Sequence, residues 1–397
     1  RPPAHAPTPD QAMRHLYLAA TGQNRGKTTV ALGLLDGFLG RGLSTGFLKP
    51  VGQRTVIEDG APADEDAVLM KGVFGLPEPL AVMSPVHIPR GFTKAYIAGE
   101  VVEDLPAKIR SAHAGFREHD IVLVEGTGHA GVGAVVGLSN AAVAGMLGAP
   151  VIIMSEGGVG RPIDEIVLNR ALFAAHGVPV AGAIVNKVDL GAQPGIRAVL
   201  EKGLALHGVP LLGILPYRPI LSNPTLGMIL EGLGGEAIWP GPDLERVIDG
   251  VAIGAMEPHH MLERVGPGTL VIVPGDREDV IVTLTTAHLV GPAHGSTPME
   301  AARLAGGRST MVDEHDRAAA GLVLTGGYRP REAVVAAIRG ADLFATLVRE
   351  DTYTVASEVH DLLVKTHAGD SEKVALIKAL VAEYLDVDRI LAVATEA

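Results

Sequence analysis

The sequence predicts an α/β protein built on a doubly wound, mostly parallel sheet, and two observations lead to this fold class. From Met13 to Arg218, short and nearly continuous apolar runs alternate with stretches whose apolar residues recur at helical spacing. The first apolar run breaks into a glycine-bearing loop that leads directly into a helix. Strands of a parallel sheet are apolar throughout because both of their faces are covered. Ligands of such sheets bind beyond the carboxyl ends of the strands, where functional residues are therefore expected.

The strands and helices of this region follow one another in chain order. The predicted strands are Leu16–Ala20, Thr45–Leu48, Ile121–Val124, Val151–Met154, Val180–Val185 and Leu211–Leu215. Helical spacing predicts helices between most of them, for example Pro162–His176 and Pro194–His207. Because a chain of 397 residues has room for two or three domains, this region is predicted to be one of them.

The loop after the first strand has the composition of a phosphate-binding loop. It consists of Thr21-Gly22-Gln23-Asn24-Arg25-Gly26-Lys27-Thr28, followed by Thr29. The consensus is GxxxxGK[ST], and here the first glycine stands one position later. The glycines allow backbone N–H groups to turn onto an anion at a helix N-terminus. Lys27 offers a charge to the β- and γ-phosphates, and Thr28 offers a hydroxyl to Mg²⁺. We therefore expect a P-loop NTPase-type fold in which residues 22–29 bind a nucleotide; the alternative is a plain glycine-rich turn.

Polar side chains follow the second and third predicted strands. Lys49 comes directly after the second strand, and Glu125, followed by glycines, comes after the third. The acidic triplet Asp64–Asp66 lies between them in a predicted loop. Because Mg²⁺ prefers carboxylates, hydroxyls, water and phosphate oxygens, we expect Thr28, Asp66 and Glu125 to form a metal site.

Two lysines are the expected catalytic residues. Lys27 and Lys49 can stabilise negative charge that develops on a transferred phosphoryl group. The alternatives are a surface lysine at Lys49, a solvated strand-end carboxylate at Glu125 and a solvated loop at the acidic triplet. His129, in the glycine loop after the third strand, is either catalytic or merely solvated.

A further motif follows the fifth predicted strand. Asn186-Lys187-Val188-Asp189 matches NKxD, the pattern with which guanine-nucleotide proteins bind the base through Asn and Asp side chains. Asn186 alone can also bind adenine, because its amide both donates and accepts hydrogen bonds. We therefore expect Asn186 and Asp189 near the base and leave open whether ATP or GTP is bound.

The composition excludes several function classes. The formal net charge of −12 argues against nucleic acid or an anionic membrane as a partner, and no apolar stretch is long enough to span a bilayer. Without cysteine there is no disulfide and no thiolate site, which fits a cytoplasmic location. Residues 1–12 are proline-rich without an apolar signal segment, and are expected to be a disordered leader or expression remnant before a natural start near Met13.

The ordered set ATGQNRGKTT, GFLKPVGQ, DEDA, LVEGTG and IVNKV resembles the dethiobiotin synthetase family. It more closely resembles the dethiobiotin-synthetase-like N-terminal region of long phosphate acetyltransferases, over about residues 13–219. The resemblance implies ATP, Mg²⁺, phosphorylation of a carbamate, and a homodimer whose substrate site spans two subunits. The positions that match are Lys27, Thr28, Lys49, Asp66, Glu125 and Asn186. Because the loop is one residue shorter and Gln53 replaces a small hydroxyl residue after KPV, the diamine site is not expected to carry over.

Beyond residue 218 a second, smaller α/β domain is predicted. Residues 219–244 are rich in proline and glycine and are expected to be a linker with one short helix. The predicted strands that follow are Leu270–Val273, Ile281–Leu284 and Gly321–Thr325. Asp276-Arg277 and Thr325-Gly326-Gly327 resemble the signature of the DRTGG domain, expected over 245–354; the alternatives are a structural ion pair and a tight turn. Helical spacing predicts C-terminal helices over 355–397, packed on this domain or on a second subunit.

Two hypotheses of different classes follow for the function. In the first, ATP and Mg²⁺ bind at residues 22–28, and γ-phosphoryl transfer activates a small carboxylate or carbamate. In the second, the protein is a sensor whose nucleotide occupancy shifts the DRTGG-like domain or a partner with little turnover. A GTPase is a third option. Phosphate acetyltransferase activity is not expected, because the acetyl-transferring domain would follow the end of this chain.

Overall fold

The computed structural model describes residues 13–58, 60–290, 319–362 and 366–396. The chain forms two compact units. The first contains Arg1–Tyr217 and Thr366–Ala397, and the second contains Arg218–Lys365. The chain therefore leaves the first unit once and returns to it near its C-terminal end. The predicted leader, residues 1–12, lies outside the described residues.

A seven-stranded sheet forms the centre of the first unit. The strands of this unit are β1 (Arg14–Ala20), β2 (Thr45–Leu48), β3 (Val51–Gly52), β4 (Thr55–Glu58), β5 (Ala61–Asp64), β6 (Val86–His87), β7 (Ile121–Glu125), β8 (Val151–Glu156), β9 (Val180–Val188), β10 (Leu211–Pro216) and β16 (Thr395–Glu396). The large sheet has the order β10-β9-β8-β1-β7-β2, with all neighbours parallel, and β16 adds to β1 in antiparallel orientation. The doubly wound, mostly parallel sheet expected from the sequence is confirmed.

Helices cover this sheet. They are α1 (Lys27–Leu39), α2 (Glu65–Phe74), α3 (Leu80–Met83), α4 (Phe92–Ile97), α5 (Leu105–Ala114), α6 (Asn140–Leu147), α7 (Gly160–Ala175), α8 (Ile196–Ala205), and, after the second unit, α14 (Ser371–Tyr384) and α15 (Val387–Ala392). Each of the six apolar runs predicted as strands lies within a strand of the sheet. The runs are buried: Leu16 to Ala20 of β1 are at most 1% exposed, as expected for a central strand covered on both faces.

The first helix, α1, follows the phosphate-type loop and packs against α14 near the C-terminal end of the chain. α1 buries Val30, Leu34, Leu35 and Phe38, as its spacing predicts. Its Gly33 faces Val381 of α14 so closely that an added Cβ would lie 2.3 Å from a Val381 methyl carbon. Of the C-terminal helices, α14 and α15 therefore belong to the first unit and not to the DRTGG-like domain.

The second unit contains a five-stranded sheet. Its elements are α9 (Leu226–Leu233), β11 (Glu236–Trp239), β12 (Gly250–Ile253), α10 (Pro258–Leu262), β13 (Thr269–Pro274), α11 (Glu278–Val290), β14 (Gly321–Thr325), α12 (Glu332–Gly340), β15 (Phe344–Leu347) and α13 (Thr352–Asp361). The sheet order is β11-β15-β14-β13-β12, parallel except for the pairing of β11 with β15.

Three sequence-based expectations differ from this fold. Residues 281–284, expected as a strand, lie in α11, because Val280, Ile281 and Leu284 are buried at helical rather than alternating spacing. Residues 219–244, expected as a linker with one short helix, contain that helix as α9 but also the edge strand β11, which was not expected. The acidic triplet Asp64–Asp66 is not a loop: Asp64 ends β5 and caps α2 by accepting a hydrogen bond from the Asp66 N–H.

No helix in the described part of the chain is both long and apolar enough to cross a membrane.

Candidate functional site

The loop between β1 and α1 has the backbone shape of an anion site. Asn24 and Gly26 both adopt positive φ, at 56° and 86°. An added Cβ on Gly26 would lie 2.1 Å from Asn186 Nδ2, so only glycine fits there. Gly26 caps α1 without a side-chain hydrogen bond, and the first turn carries no acidic residue. The N–H groups and the positive end of the helix dipole are therefore left for an anion.

Lys27 is the buried cation of this loop. Its side chain belongs to the first turn of α1 and the residue is only 7% exposed. Burial, and then the charge of Lys49, lower the pKa of Lys27 to about 8, while Glu125 and Asp66 oppose that shift. A buried ammonium that is only partly offset by carboxylates gains from an added phosphate.

Four side chains meet at the carboxyl end of the sheet, beside Lys27. Lys49 Nζ lies 2.5 Å from Asp66 Oδ2 and 2.8 Å from Glu125 Oε1. Thr28 Oγ1 lies 3.0 Å from Asp66 Oδ1 and 3.2 Å from Glu125 Oε1. β2, β7, α1 and α2 each contribute one of these residues at or next to an end of the element. The structure thus brings together the three residues expected at the metal and one expected catalytic lysine.

The pKa values of the two carboxyl groups in this cluster are shifted in opposite directions. Burial, and then the charge of Asp66, raise the pKa of Glu125 to about 7, against the effect of Lys49. Although burial raises the pKa of Asp66, the charge of Lys49 and hydrogen bonds from Lys49, Glu125 and Thr28 lower it to about 2. Burial also opposes the charge on Lys49, but the surrounding carboxylates raise the pKa of Lys49 well above its usual value. Asp66 is therefore the ionised carboxylate and Lys49 remains charged.

The donor set of this cluster fits a hard cation. Glu125 is 1% exposed, and its Oε2 has no hydrogen-bond partner among the described residues. Two carboxylates and a hydroxyl match the ligands that Mg²⁺ takes together with phosphate oxygens and water. Within the described residues no group of three or more His, Cys, Asp or Glu side chains could hold a metal ion.

Of the two residues expected at the base, Asn186 contacts the loop itself, as does its neighbour Lys187. Asn186 Nδ2 donates to the Arg25 carbonyl oxygen over 3.1 Å, and Lys187 Nζ donates to the Asn24 carbonyl oxygen over 2.9 Å. Asp189 is exposed, and its Oδ1 accepts a hydrogen bond from the Ala192 N–H over 3.0 Å. Asn186 and Lys187 therefore hold the backbone of the phosphate-type loop, while Asp189 stabilises the turn that follows β9.

An ion-pair network on the other side of the loop was not expected from the sequence. Arg25 pairs with Glu156 at the end of β8, and its guanidinium lies 3.6 Å from Glu165 of α7. Thr21 Oγ1 donates to Glu165 Oε2 over 2.7 Å. Lys187 Nζ lies 3.3 Å from Glu156 Oε2. No motif signals these carboxylates, because they belong to elements more than 130 residues further along the chain.

Asn140 is another residue of this region that was not expected from the sequence. It is the first residue of α6 and only 4% exposed, and its amide binds the loop that follows β7. The one sequence signal is Ser139, whose hydroxyl accepts from the Ala142 N–H as a helix cap. His129 and Gln53, by contrast, are exposed, and the His129 Nδ1 accepts from the Gly131 N–H.

The two DRTGG-like signature segments lie side by side in the second unit. The Gly275 N–H donates to the Thr325 carbonyl oxygen over 3.0 Å, and an added Cβ on Gly275 would overlap the Tyr328 carbonyl oxygen. Gly326 and Gly327 have φ of 79° and 69°, so both need the freedom of glycine. Arg277 does form an ion pair, but its partner is Asp279, at 2.9 Å, instead of the neighbouring Asp276 of the signature.

Comparisons with known proteins agree with this architecture. The AAA domain model matches residues 14–225, and the DRTGG domain model matches residues 228–362. The chain is similar to the phosphate acetyltransferase of Pseudomonas putida, with 28% identity over 393 residues that cover 94% of this chain and 51% of that protein. The phosphate acetyltransferase of Nitratidesulfovibrio vulgaris is 25% identical over 390 residues, which cover 94% of this chain and 50% of that protein.

The chain spans about half the length of the curated relatives it matches. These matches confirm the resemblance drawn from the sequence: a P-loop domain is fused to a DRTGG domain, as in the N-terminal region of long phosphate acetyltransferases.

Two solved structures show a weak likeness to parts of this chain. The CBS and DRTGG domains of the regulatory region of Clostridium perfringens pyrophosphatase, complexed with the activator diadenosine tetraphosphate, match at a TM-score of 0.27 and 18% identity, covering 42% of this chain and 63% of that chain. The MinD cell division protein of Aquifex aeolicus matches at a TM-score of 0.33 and 14% identity, covering 52% of this chain and 83% of that chain.

Proposed function

Because the chain belongs to the AAA domain family, we propose that it binds ATP together with Mg²⁺ and transfers the γ-phosphoryl group to water or to a small carboxylate or carbamate. The observation that carries this proposal is the meeting of Lys27, Thr28, Lys49, Asp66 and Glu125 at one end of the sheet. This edge, beyond the carboxyl ends of parallel strands, is where doubly wound folds bind their ligands.

Each group has a role in this proposal. Backbone N–H groups of residues 22–29 hold the phosphates, and Lys27 neutralises the β- and γ-phosphate oxygens. Thr28, Asp66 and Glu125 hold Mg²⁺, which bridges phosphate oxygens and offsets their charge. Lys49 stabilises charge on the transferred group. Asn186 and Asp189 lie toward the base, and the protein is a cytoplasmic homodimer in this proposal.

A sensor with little turnover is the second candidate function. The observation in its favour is the DRTGG domain, which the chain inserts between β10 and α14 of the nucleotide-type unit. In a sensor, the free energy of nucleotide binding shifts a conformational equilibrium rather than driving chemistry. GTP instead of ATP remains an alternative ligand because of the NKxD sequence that ends in Asp189.

The test begins with nucleotide binding by calorimetry on the full chain. We expect Lys27→Ala to abolish ATP binding, because it removes the buried charge that faces the phosphates. The matched control is Lys202→Ala on an exposed position of α8, which should leave the affinity unchanged. An unchanged affinity of the Lys27 variant contradicts the proposal.

Phosphate release then separates the enzyme from the sensor. We expect release to increase when small carboxylates or carbamates are added with ATP and Mg²⁺. Nucleotide binding without any release under these conditions favours the sensor. A competition titration of ATP against GTP shows which of the two nucleotides the protein prefers.

A further inference from the structure

Lys49 lies at the centre of the cluster that would hold the metal in the proposed function. Its ammonium is 2.5 Å from Asp66 Oδ2 and 2.8 Å from Glu125 Oε1, so one cation pairs with both carboxylates. Thr28 Oγ1 approaches the other Asp66 oxygen and the same Glu125 oxygen, at 3.0 Å and 3.2 Å. The three oxygen-bearing side chains therefore surround one small space together with a side-chain cation.

We propose that Lys49 is a built-in substitute for the divalent cation: it neutralises Asp66 and Glu125 without nucleotide and leaves them when Mg²⁺ enters with a nucleotide. The inference rests on the proposed function, because it describes the same metal site in more detail.

Burial favours a cation between the two carboxyl groups when both are ionised. The side chains of Lys49 and Glu125 are only 5% and 1% exposed, and that of Asp66 is 20% exposed. Two carboxyl groups that approach one another away from water can both be ionised only when a cation lies between them. Lys49 is held for this task at its backbone as well, since its N–H donates to the Met83 carbonyl oxygen over 2.7 Å.

Lys49 and a divalent cation exclude one another. Both are positive and both use the same oxygens of Asp66 and Glu125, so the two cannot share the space. Glu125 Oε2, buried and without a partner among the described residues, is a further acceptor for the incoming ion. A nucleotide supplies the negative charge that lets Lys49 leave the carboxylates, because its ammonium can then pair with phosphate oxygens.

As a consequence, the carboxylates of the metal site become available to a divalent cation only when a nucleotide binds. Without nucleotide, a free divalent cation must displace a buried ammonium from two carboxylates with no compensating anion. The affinities for cation and nucleotide are therefore coupled, and each ligand raises the affinity for the other.

The test measures Mn²⁺ binding to the full chain without nucleotide, by the paramagnetic resonance signal of free Mn²⁺. Lys49→Gln keeps hydrogen-bonding capacity and loses the charge, and Lys49→Met is a second uncharged variant. We expect one Mn²⁺ to bind either variant at least about tenfold more tightly than wild type. Lys49→Arg keeps the charge and should behave like wild type. Adding Glu125→Gln to the Lys49→Gln variant should remove the gained binding.

Thermal melting provides a readout independent of activity. Mn²⁺ should raise the melting temperature of the uncharged variants, and restore the fold of either one that is unfolded without metal, but should not shift wild type. The proposal is overturned if wild type and both uncharged variants bind Mn²⁺ with equal affinity. It is also overturned if Mn²⁺ raises the melting temperature of neither uncharged variant. A failure of the proposed function is distinguishable, because it shows as the lack of ATP binding by wild type.

Discussion

Asn140 uses every hydrogen-bonding position of its amide to hold the loop after β7. Its Oδ1 accepts from the Tyr17 hydroxyl over 2.8 Å and from the Thr127 N–H over 3.0 Å. Its Nδ2 donates to the carbonyl oxygens of Thr127 and His129, both over 2.7 Å. A primary amide offers two donors and two acceptor positions, so this side chain is fully satisfied. The loop that follows Glu125 is thereby tied to both β1 and α6.

We expect Asn140→Ala to lower the free energy of unfolding of the first unit by about 3 kcal/mol, because it leaves several buried backbone groups without partners. Tyr17→Phe removes only one of the four bonds and should cost about 1 kcal/mol. Urea unfolding followed by far-UV circular dichroism measures both effects. The fluorescence of Trp239, the sole tryptophan, reports on the second unit and should keep its transition. Equal effects of the two substitutions would contradict this account.

At the scale of elements, the contact between α1 and α14 depends on the absence of a side chain at one position. A Cβ on Gly33 would lie 2.4 Å from the Val381 Cβ and 2.3 Å from one of its methyl carbons. Lys378 Nζ also pairs with Asp36 of α1 at 2.8 Å, and an added Cβ on Gly37 would lie 3.2 Å from Val387. The helix that carries Lys27 is thus positioned by a helix from the end of the chain.

Gly33→Ala should destabilise the first unit by roughly 1–3 kcal/mol, because the added methyl group overpacks a buried contact. Val381→Ala should destabilise it by about 2 kcal/mol through a cavity. In the double variant the new methyl group fills that cavity, so its destabilisation should fall short of the sum by at least about 1 kcal/mol. Urea unfolding of the four proteins completes the cycle. Strict additivity would show that the two side chains do not compete for the same space.

Apolar runs make the central sheet predictable from the sequence, whereas two helical segments are not predictable because their local patterns are ambiguous. The run Ile281–Leu284 is short and β-branched, and only its neighbours Glu278 and Val280 reveal a helix with an acidic first turn. The triplet at Asp64 contains a capping residue and two acidic residues of a first turn, so it is a helix start where a loop is expected from the sequence. In both cases tertiary burial decides between local alternatives that the sequence leaves nearly equal.

At the scale of the whole molecule, contacts between distant segments could not be predicted from the sequence. Lys27 and Thr28 can be predicted because they belong to a phosphate-binding loop motif of adjacent residues. Asn140, Glu156 and Val381 act on the same region through contacts made more than 100 residues away, and no local pattern marks them. The return of the chain to the first unit after residue 365 belongs to the same class of features.

This return of the chain leads to a prediction for the C-terminal segment. The helices α14 and α15 bury Val374, Ile377, Leu380, Val381, Val387 and Ile390. Burying one such side chain is worth about 1.5–3 kcal/mol. Together they match or exceed the net stability of a typical domain, which is about 5–15 kcal/mol. The first unit should therefore depend on this segment for its fold.

Deletion of residues 366–397 should abolish cooperative unfolding of the first unit and with it ATP binding, because it uncovers the face of α1 around Gly33. Calorimetric melting and ATP titration measure the two effects. Deletion of residues 395–397 is the matched control: it removes only the two-residue strand beside β1 and should retain binding within about twofold, given the small number of backbone bonds lost. If the long deletion kept a cooperative transition and full affinity, α14 and α15 would be an appendage, and the position of Lys27 would have to be set by the sheet alone.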